Sequence, residues 1–243
     1  MDMIELSTKT HQLQLHQGVM GVHVVMPSVV ESPVPLVILI HDILGFNDDT
    51  RRIAKRLASG PMGLAVVAPD LYQGLGPKPL CVVKTLASLR RKEGPTFDRL
   101  RAVQAWSSSI PEVDGQRVAV VGFCMGGGFA LLYSNEAEVS VVAPFYGDVP
   151  LVASELKNIC PVVGGYGERD AIFGPQGHRL VSHLESLSVP HDVKFYPDAG
   201  HSYMNQLKGM AKLARWTPMR GAFDETAAED SWQRVFQFFE KHL

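Results

Sequence analysis

The segment Val118 to Tyr133, VAVVGFCMGGGFALLY, sets a cysteine in the frame Gly122-Phe123-Cys124-Met125-Gly126-Gly127, between an apolar β-branched run and a stretch of helical period. A glycine two residues to either side of a nucleophile is the spacing of a nucleophile elbow, in which the reactive side chain stands on a sharp strand-to-helix turn. The turn is tight enough that Gly122 and Gly126 must lack side chains, and it holds Cys124 in a strained backbone conformation. The sulfur then sits at a helix N-terminus, where unpaired N–H groups and the positive end of the dipole favour thiolate. The Met125 N–H is placed to receive a developing oxyanion. The competing reading is an ordinary buried thiol in a glycine-rich turn; the strand before it and the helix after it weigh against that. Cys81 and Cys160 lack such flanks and read as packing residues.

A thiol nucleophile needs a base, and the base needs an acid to orient it; where an elbow is used, acid and histidine follow the nucleophile in that order. Asp170 lies in the loop Gly167-Glu168-Arg169-Asp170 after one apolar run, and His201 in the loop Pro197-Asp198-Ala199-Gly200-His201 after the next. Of the nine histidines, His178 and His183 fall on a helix, His191 begins a strand, and His11, His16 and His23 fall in an N-terminal hairpin. Solvated or packing roles are the default for these. Glu168 and Asp198 compete for the orienting role, and Asp170 is preferred because it stands at the usual acid-loop position after its strand.

These groups must be positioned by elements. Short apolar runs occur at Leu36–Ile40, Leu64–Ala68, Val118–Val121, Val139–Ala143, Val162–Gly165 and Val193–Tyr196. Apolar throughout, they read as parallel strands covered on both faces. Helical periods separate them at Asp49–Ser59, Phe97–Trp106 and Gln176–Leu187, with a last helix from Thr226 to His242. Leu13 to Met26, around Gly18, reads as an antiparallel hairpin at the sheet edge. The expectation is one α/β domain over residues 1–243: a mostly parallel central sheet, helices on both faces, and an N-terminal edge hairpin. In such sheets ligands collect beyond the carboxyl ends of the strands, which is where Cys124, Asp170 and His201 fall.

The chain's 243 residues carry 23 Lys+Arg against 25 Asp+Glu, a formal charge of -2 that gives no electrostatic case for nucleic acid or an anionic membrane. Three cysteines without a C-x-x-C spacing suggest neither a zinc site nor a dithiol pair, and point to a reducing, cytoplasmic setting. The opening Met1-Asp2-Met3-Ile4-Glu5 has no basic or apolar region of a secretory signal, and no apolar run reaches the length of a membrane span. A small molecule is the expected partner, and a monomer the expected state.

With those residues in place, the sequence resembles the dienelactone hydrolase family, a Cys-His-Asp branch of the α/β-hydrolase fold, over nearly the whole chain. The resemblance rests on His41-Asp42-Ile43-Leu44-Gly45, Ala68-Pro69-Asp70-Leu71-Tyr72, the elbow, Phe145-Tyr146-Gly147, Gly167-Glu168-Arg169-Asp170 and Gly200-His201-Ser202-Tyr203. It implies hydrolysis of an ester or lactone through a thioester on Cys124, with His201 handling protons, Asp170 holding the imidazole, and the Met125 and Ile43 N–H groups binding the oxyanion. It implies no metal and no organic cofactor. Tyr72, Tyr146, Ser202, Tyr203 and Asn205 become candidates to line the substrate pocket. Family members commonly place Glu, in contact with the resting thiol, where this chain has Asp42. They place a carboxylate-binding arginine where this chain has Asn205; a second such arginine falls between Leu71 and Phe97, where Lys84, Arg90 and Arg91 are available. A neutral amide cannot replace a charged fork, so dienelactone itself is in doubt as substrate. A broad carboxylesterase or thioesterase and a noncatalytic small-ligand binder remain as alternatives.

Overall fold

The computed structural model describes residues 4–16 and 18–243; Met1 to Met3, read above as free of a secretory signal, and Gln17, within the expected hairpin, lie outside these. Eight strands form one sheet in the order β1-β2-β4-β3-β5-β6-β7-β8. β3 (Val34–Ile40), β4 (Ala65–Pro69), β5 (Val113–Phe123), β6 (Val141–Phe145), β7 (Val162–Gly167) and β8 (His191–Tyr196) run parallel. β1 (Leu6–Leu15) and β2 (Gly18–Pro27) form the antiparallel hairpin that extends the sheet beyond β4.

The parallel strands are apolar because both their faces are covered: Val118, Ala119, Val120 and Val121 of β5 are all buried. On one face lie α1 (Asp48–Ala58) and α6 (Glu225–His242); on the other lie α2 (Lys78–Arg91), α3 (Pro95–Ser107), α4 (Met125–Glu136) and α5 (Gly174–Ser186). α1 starts where Asn47 accepts the Asp49 and Thr50 N–H groups in a capping box, and it lays Ile53, Ala54 and Leu57 on the sheet. α6 starts at Asp224, whose side chain accepts the Ala227 N–H, and buries Trp232, Val235 and Phe239.

Three elements depart from the sequence reading. The hairpin begins at Leu6 rather than Leu13, because β1 is an edge strand whose polar Thr8, Lys9, Thr10, His11 and Gln12 are exposed, leaving little apolar alternation to see. The periodic apolar pattern also gives no sign of α2: its buried stripe is Cys81, Thr85, Ser88 and Leu89, with two hydroxyl residues where a hydrophobic period would need apolar ones. β6 begins two residues later than the apolar run, which carries it through Phe145 and puts Tyr146 at its exit.

Candidate active site

Cys124 is the single residue between β5 and α4, with φ +54° and ψ −118°, a conformation that side chains rarely adopt. Its N–H donates to Phe145 O at 3.0 Å, and its carbonyl accepts the Gly127 N–H at 2.9 Å, so the bend is tied to the end of β6 and to the first turn of α4. A side chain at Gly122 would overlap the Gly126 carbonyl, and one at Gly126 would lie 2.6 Å from His41 O. Both glycines are therefore required by close backbone approach, as the elbow spacing anticipates.

The loops after β7 and β8 bring the other two groups together. His201 Nδ1 meets Asp170 Oδ2 at 2.6 Å, with Asp170 1% and His201 4% exposed. The other carboxylate oxygen of Asp170 accepts the Ile172 and Phe173 N–H groups at 3.0 Å each, so the acid is fixed before it meets the imidazole. Glu168 and Asp198, the competing acids, are exposed. The imidazole lies between the Phe173 ring at 4.7 Å and the Tyr146 ring at 5.0 Å. Its Nε2 is buried, meets no nitrogen or oxygen partner among the described residues, and has the Cys124 sulfur as its neighbour. Burial disfavours charge on His201, but Cys124 and the Asp170 carboxylate beside it outweigh that and push the ring up to about 9.

The loop after β3 forms the third side. The Met125 and Ile43 N–H groups have no protein acceptor among the described residues. The Tyr72 hydroxyl donates to Ile43 O at 3.1 Å and reaches Met125 Sδ at 3.7 Å, touching the two residues expected to bind an oxyanion. His41 Nδ1 meets Asp42 O at 2.7 Å and its Nε2 accepts the Leu71 N–H at 3.2 Å, which fastens the β3 loop to the β4 loop. Burial keeps this histidine neutral by lowering its pKa, despite the opposing pull of the Asp42 carbonyl.

Several expected site residues have other engagements. Asp42 spends Oδ1 on the Leu44 N–H at 2.8 Å, and no hydrogen bond joins it to Cys124, so the expected contact with the thiol is not made as one; the shorter side chain is held by its own loop. Burial pushes Asp42 up to about 6, against the pull of the Leu44 N–H. Asn205 accepts the Tyr146 hydroxyl at 2.6 Å and donates to Asp49 Oδ2 at 2.8 Å, while Asp49 also receives Arg52 Nε at 2.7 Å. Tyr203 is fully buried with its hydroxyl on Ser231 at 2.9 Å, which makes it part of the core rather than of the pocket lining expected of it. Ser202 is buried at φ +59° within the histidine loop.

Sequence reasoning missed Asp49, Arg52, Phe173 and Lys78. A cavity of about 230 Å³ beside Asp42 is lined in part by Asp48, Asp49, Lys78 and Lys208. Lys84, Arg90 and Arg91, weighed as carboxylate clamps, line other cavities, whereas Lys78 of α2 lines the one beside Asp42. Nothing in the local sequence distinguishes Asp49 from an ordinary first-turn helix acid, since its partner Asn205 stands 156 positions away. No group of described residues has the His, Cys, Asp or Glu clustering of a metal site.

Residues 20–243 match the model of the dienelactone hydrolase family. A carboxymethylenebutenolidase of Rhodococcus opacus is 30% identical over 220 residues, covering 85% of this chain and 81% of that protein. A dienelactone hydrolase-like promiscuous phosphotriesterase from metagenomic libraries superposes with a TM-score of 0.81 at 21% identity, covering 98% of each chain. A thermostable esterase of Pseudomonas putida gives a TM-score of 0.72 at 15% identity, covering 100% of this chain and 85% of that one. The sheet order, the helices on both faces and these likenesses make the fold that of the α/β hydrolases. The chain belongs to the dienelactone hydrolase family, and it is a hydrolase of the ester or lactone type.

Proposed function

We propose that residues 1–243 act as one catalytic domain that cleaves a lactone or an activated carboxylic ester through a thioester on Cys124. The observation that carries this reading is the buried His201–Asp170 pair at 2.6 Å, with Nε2 left free beside a cysteine held at φ +54°. Attack begins once the Cys124 proton has passed to His201 Nε2. The sulfur adds to the carbonyl carbon, and the Met125 and Ile43 N–H groups receive the charge that forms on oxygen. As the adduct collapses, the C–O bond breaks and His201 Nε2 gives its proton to the departing oxygen. The ring, now neutral, takes a proton from water as hydroxide adds to the thioester, and the thiolate leaves with the acid as product.

Thiolate leaves a tetrahedral adduct more readily than an alkoxide does, so unactivated alkyl esters return the enzyme unchanged, while enol lactones, aryl esters and thioesters proceed. The broad esterase or thioesterase reading gains support from Asn205, whose amide is already committed to Tyr146 and Asp49 and offers no charge to a substrate carboxylate. Three free cysteines suit a reducing, cytoplasmic compartment. No described helix is long and apolar enough to cross a membrane. The test is intact-mass spectrometry after mixing with a panel of lactones and activated esters. An acyl adduct that maps to Cys124 and is absent from Cys124→Ala is the expected result. Full turnover by Cys124→Ala would move the nucleophile elsewhere, and binding without any adduct or hydrolysis would make the protein a noncatalytic receptor.

A further inference from the structure

The segment between the His201 loop and α6 has a charge pattern that whole-chain composition conceals. From Gln206 to Phe223 there are four cations, Lys208, Lys212, Arg215 and Arg220, and no Asp or Glu, so the remaining residues carry all of the chain's negative balance. Within it, Gly209–Trp216 is a 3-10 helix. That helix repeats every three residues, which sets Met210, Leu213 and Trp216 in one row. All three are exposed, by 85%, 59% and 70%, and the helix buries none of its residues. The row lines neither of the two cavities beside the segment, of about 510 and 360 Å³, whereas Lys212, Arg215 and Arg220 do. The Arg215 guanidinium lies 5.0 Å over the Trp216 ring, and Lys208 meets the exposed Asp48 at 3.4 Å.

Apolar tips pointing outward beside a row of long cationic side chains match the boundary of a lipid leaflet, where the tips enter the acyl region and the cations meet phosphate. We propose that this segment docks the protein on an anionic lipid surface, with Met210, Leu213 and Trp216 inserted and Lys208, Lys212, Arg215 and Arg220 against the headgroups. Charge argues against a second copy as the occupant, because a two-fold contact would set these cations against their own duplicates. The segment is also tied to the site. The His201 N–H donates to Met219 O at 2.8 Å and the Ala222 N–H to His201 O at 3.1 Å, so docking holds the histidine loop at the lipid surface.

The test is flotation of the full chain with vesicles of phosphatidylcholine alone or with added phosphatidylglycerol. The protein floats with the anionic vesicles only, salt releases it, and Trp216 emission shifts to the blue, a shift absent from Trp216→Phe. Each cation near such a surface contributes on the order of fivefold in affinity, so Lys212→Glu with Arg215→Glu lowers the partition coefficient by more than about tenfold. Hydrolysis of a soluble activated ester by that variant stays within about twofold of the parent, which reports that it is folded. Met210→Ser with Leu213→Ser provides a second variant with the charges intact, and it loses binding as well. No flotation with anionic vesicles, equal flotation with neutral ones, or flotation indifferent to both variants overturns the proposal. A soluble dimer or an acidic peptide complex abolished by the charge reversal, without vesicle binding, overturns it too.

Discussion

Replacing Asp170 by Asn keeps the size of the side chain and an oxygen that can still accept the Ile172 and Phe173 N–H groups, but removes the charge facing His201 Nδ1. In the native site the ring is displaced from 6.5 to about 9, the net of burial working against the cation and of Cys124 and Asp170 working for it. That displacement corresponds to about 3 kcal/mol in favour of the imidazolium, or roughly thirty charged rings per neutral one at pH 7.5. Asp170 supplies part of that energy, through a hydrogen bond and through its charge, so removing it lowers the ratio. The substitution also removes the acceptor that keeps a proton on Nδ1 once the ring is neutral, so Nε2 is no longer held ready to take a proton from water in deacylation. The combined expectation is a loss on the order of 10² to 10⁴ in kcat, with KM little changed.

The assay pairs an NMR titration of the His201 ring with the pH–rate profile for an activated aryl ester. In Asp170→Asn the ring midpoint falls below about 9, and kcat drops across the whole profile. Linkage gives a second readout. A raised histidine contributes stability that is complete below pH 6.5 and is lost as pH climbs through about 9, so the native protein weakens over that window and the variant weakens less. A variant whose ring still titrates near 9 and whose kcat/KM stays within about threefold of the parent would refute the orienting role assigned to Asp170.

Other outcomes follow from the same geometry. Asp42, held up to about 6 by burial, costs stability above that pH and regains it as pH falls toward 4. Asp42→Asn should therefore raise Tm at pH 8 by about 2 to 6 °C, with the gain vanishing near pH 4 in matched thermal melts. Gly126→Ala drives a Cβ into the His41 carbonyl, 2.6 Å away, and neither backbone can move aside; denaturant titration should show a loss above about 3 kcal/mol, or no folded protein. Burial pushes the Cys160 thiol up to about 12, so iodoacetamide at neutral pH should label Cys124 at least about tenfold faster, as read by peptide mapping; preferential reaction at Cys81 or Cys160 would contradict the site. Turnover of p-nitrophenyl acetate should exceed that of ethyl acetate, and the reverse order would remove the argument from thiolate as leaving group.

What could be read from the chain was whatever is local. The β5 run, the glycine frame around Cys124 and the helical stretch after it lie within sixteen consecutive residues, so one short window contains both the steric requirement and the reactive group. The pairing of Asp170 with His201 was legible because each follows its own strand by a few residues, and the parallel order of β7 and β8 brings the two loops together. The Tyr146–Asn205–Asp49–Arg52 network was invisible, since it joins the exit of β6, the histidine loop and the start of α1 through side chains that no spacing rule relates. Tyr203 misled for the same reason: two residues past the histidine it looked like pocket lining, yet its hydroxyl is committed to Ser231 on α6. The cations of residues 206–223 vanished for a different reason, because a formal charge of -2 averages a basic segment into an acidic remainder.

In this site each group proposed to react is held in place by an element other than the one that carries it. Cys124 stands on β5 and α4, but its N–H is anchored by Phe145 at the end of β6, and its turn closes against the His41 carbonyl after β3. Ile43 belongs to the β3 loop, and the Tyr72 hydroxyl from the β4 loop fixes its carbonyl; the same two loops are joined again by His41, which spans Asp42 O and the Leu71 N–H. His201 follows β8 and takes its orientation from an acid after β7. Neighbouring strands thus exchange constraints across the carboxyl edge of the sheet. A shift of one loop by about 1 Å is resisted by hydrogen bonds from the next, the kind of precision that acyl transfer demands. The strain at Cys124 persists because the surrounding backbone leaves that residue no other conformation.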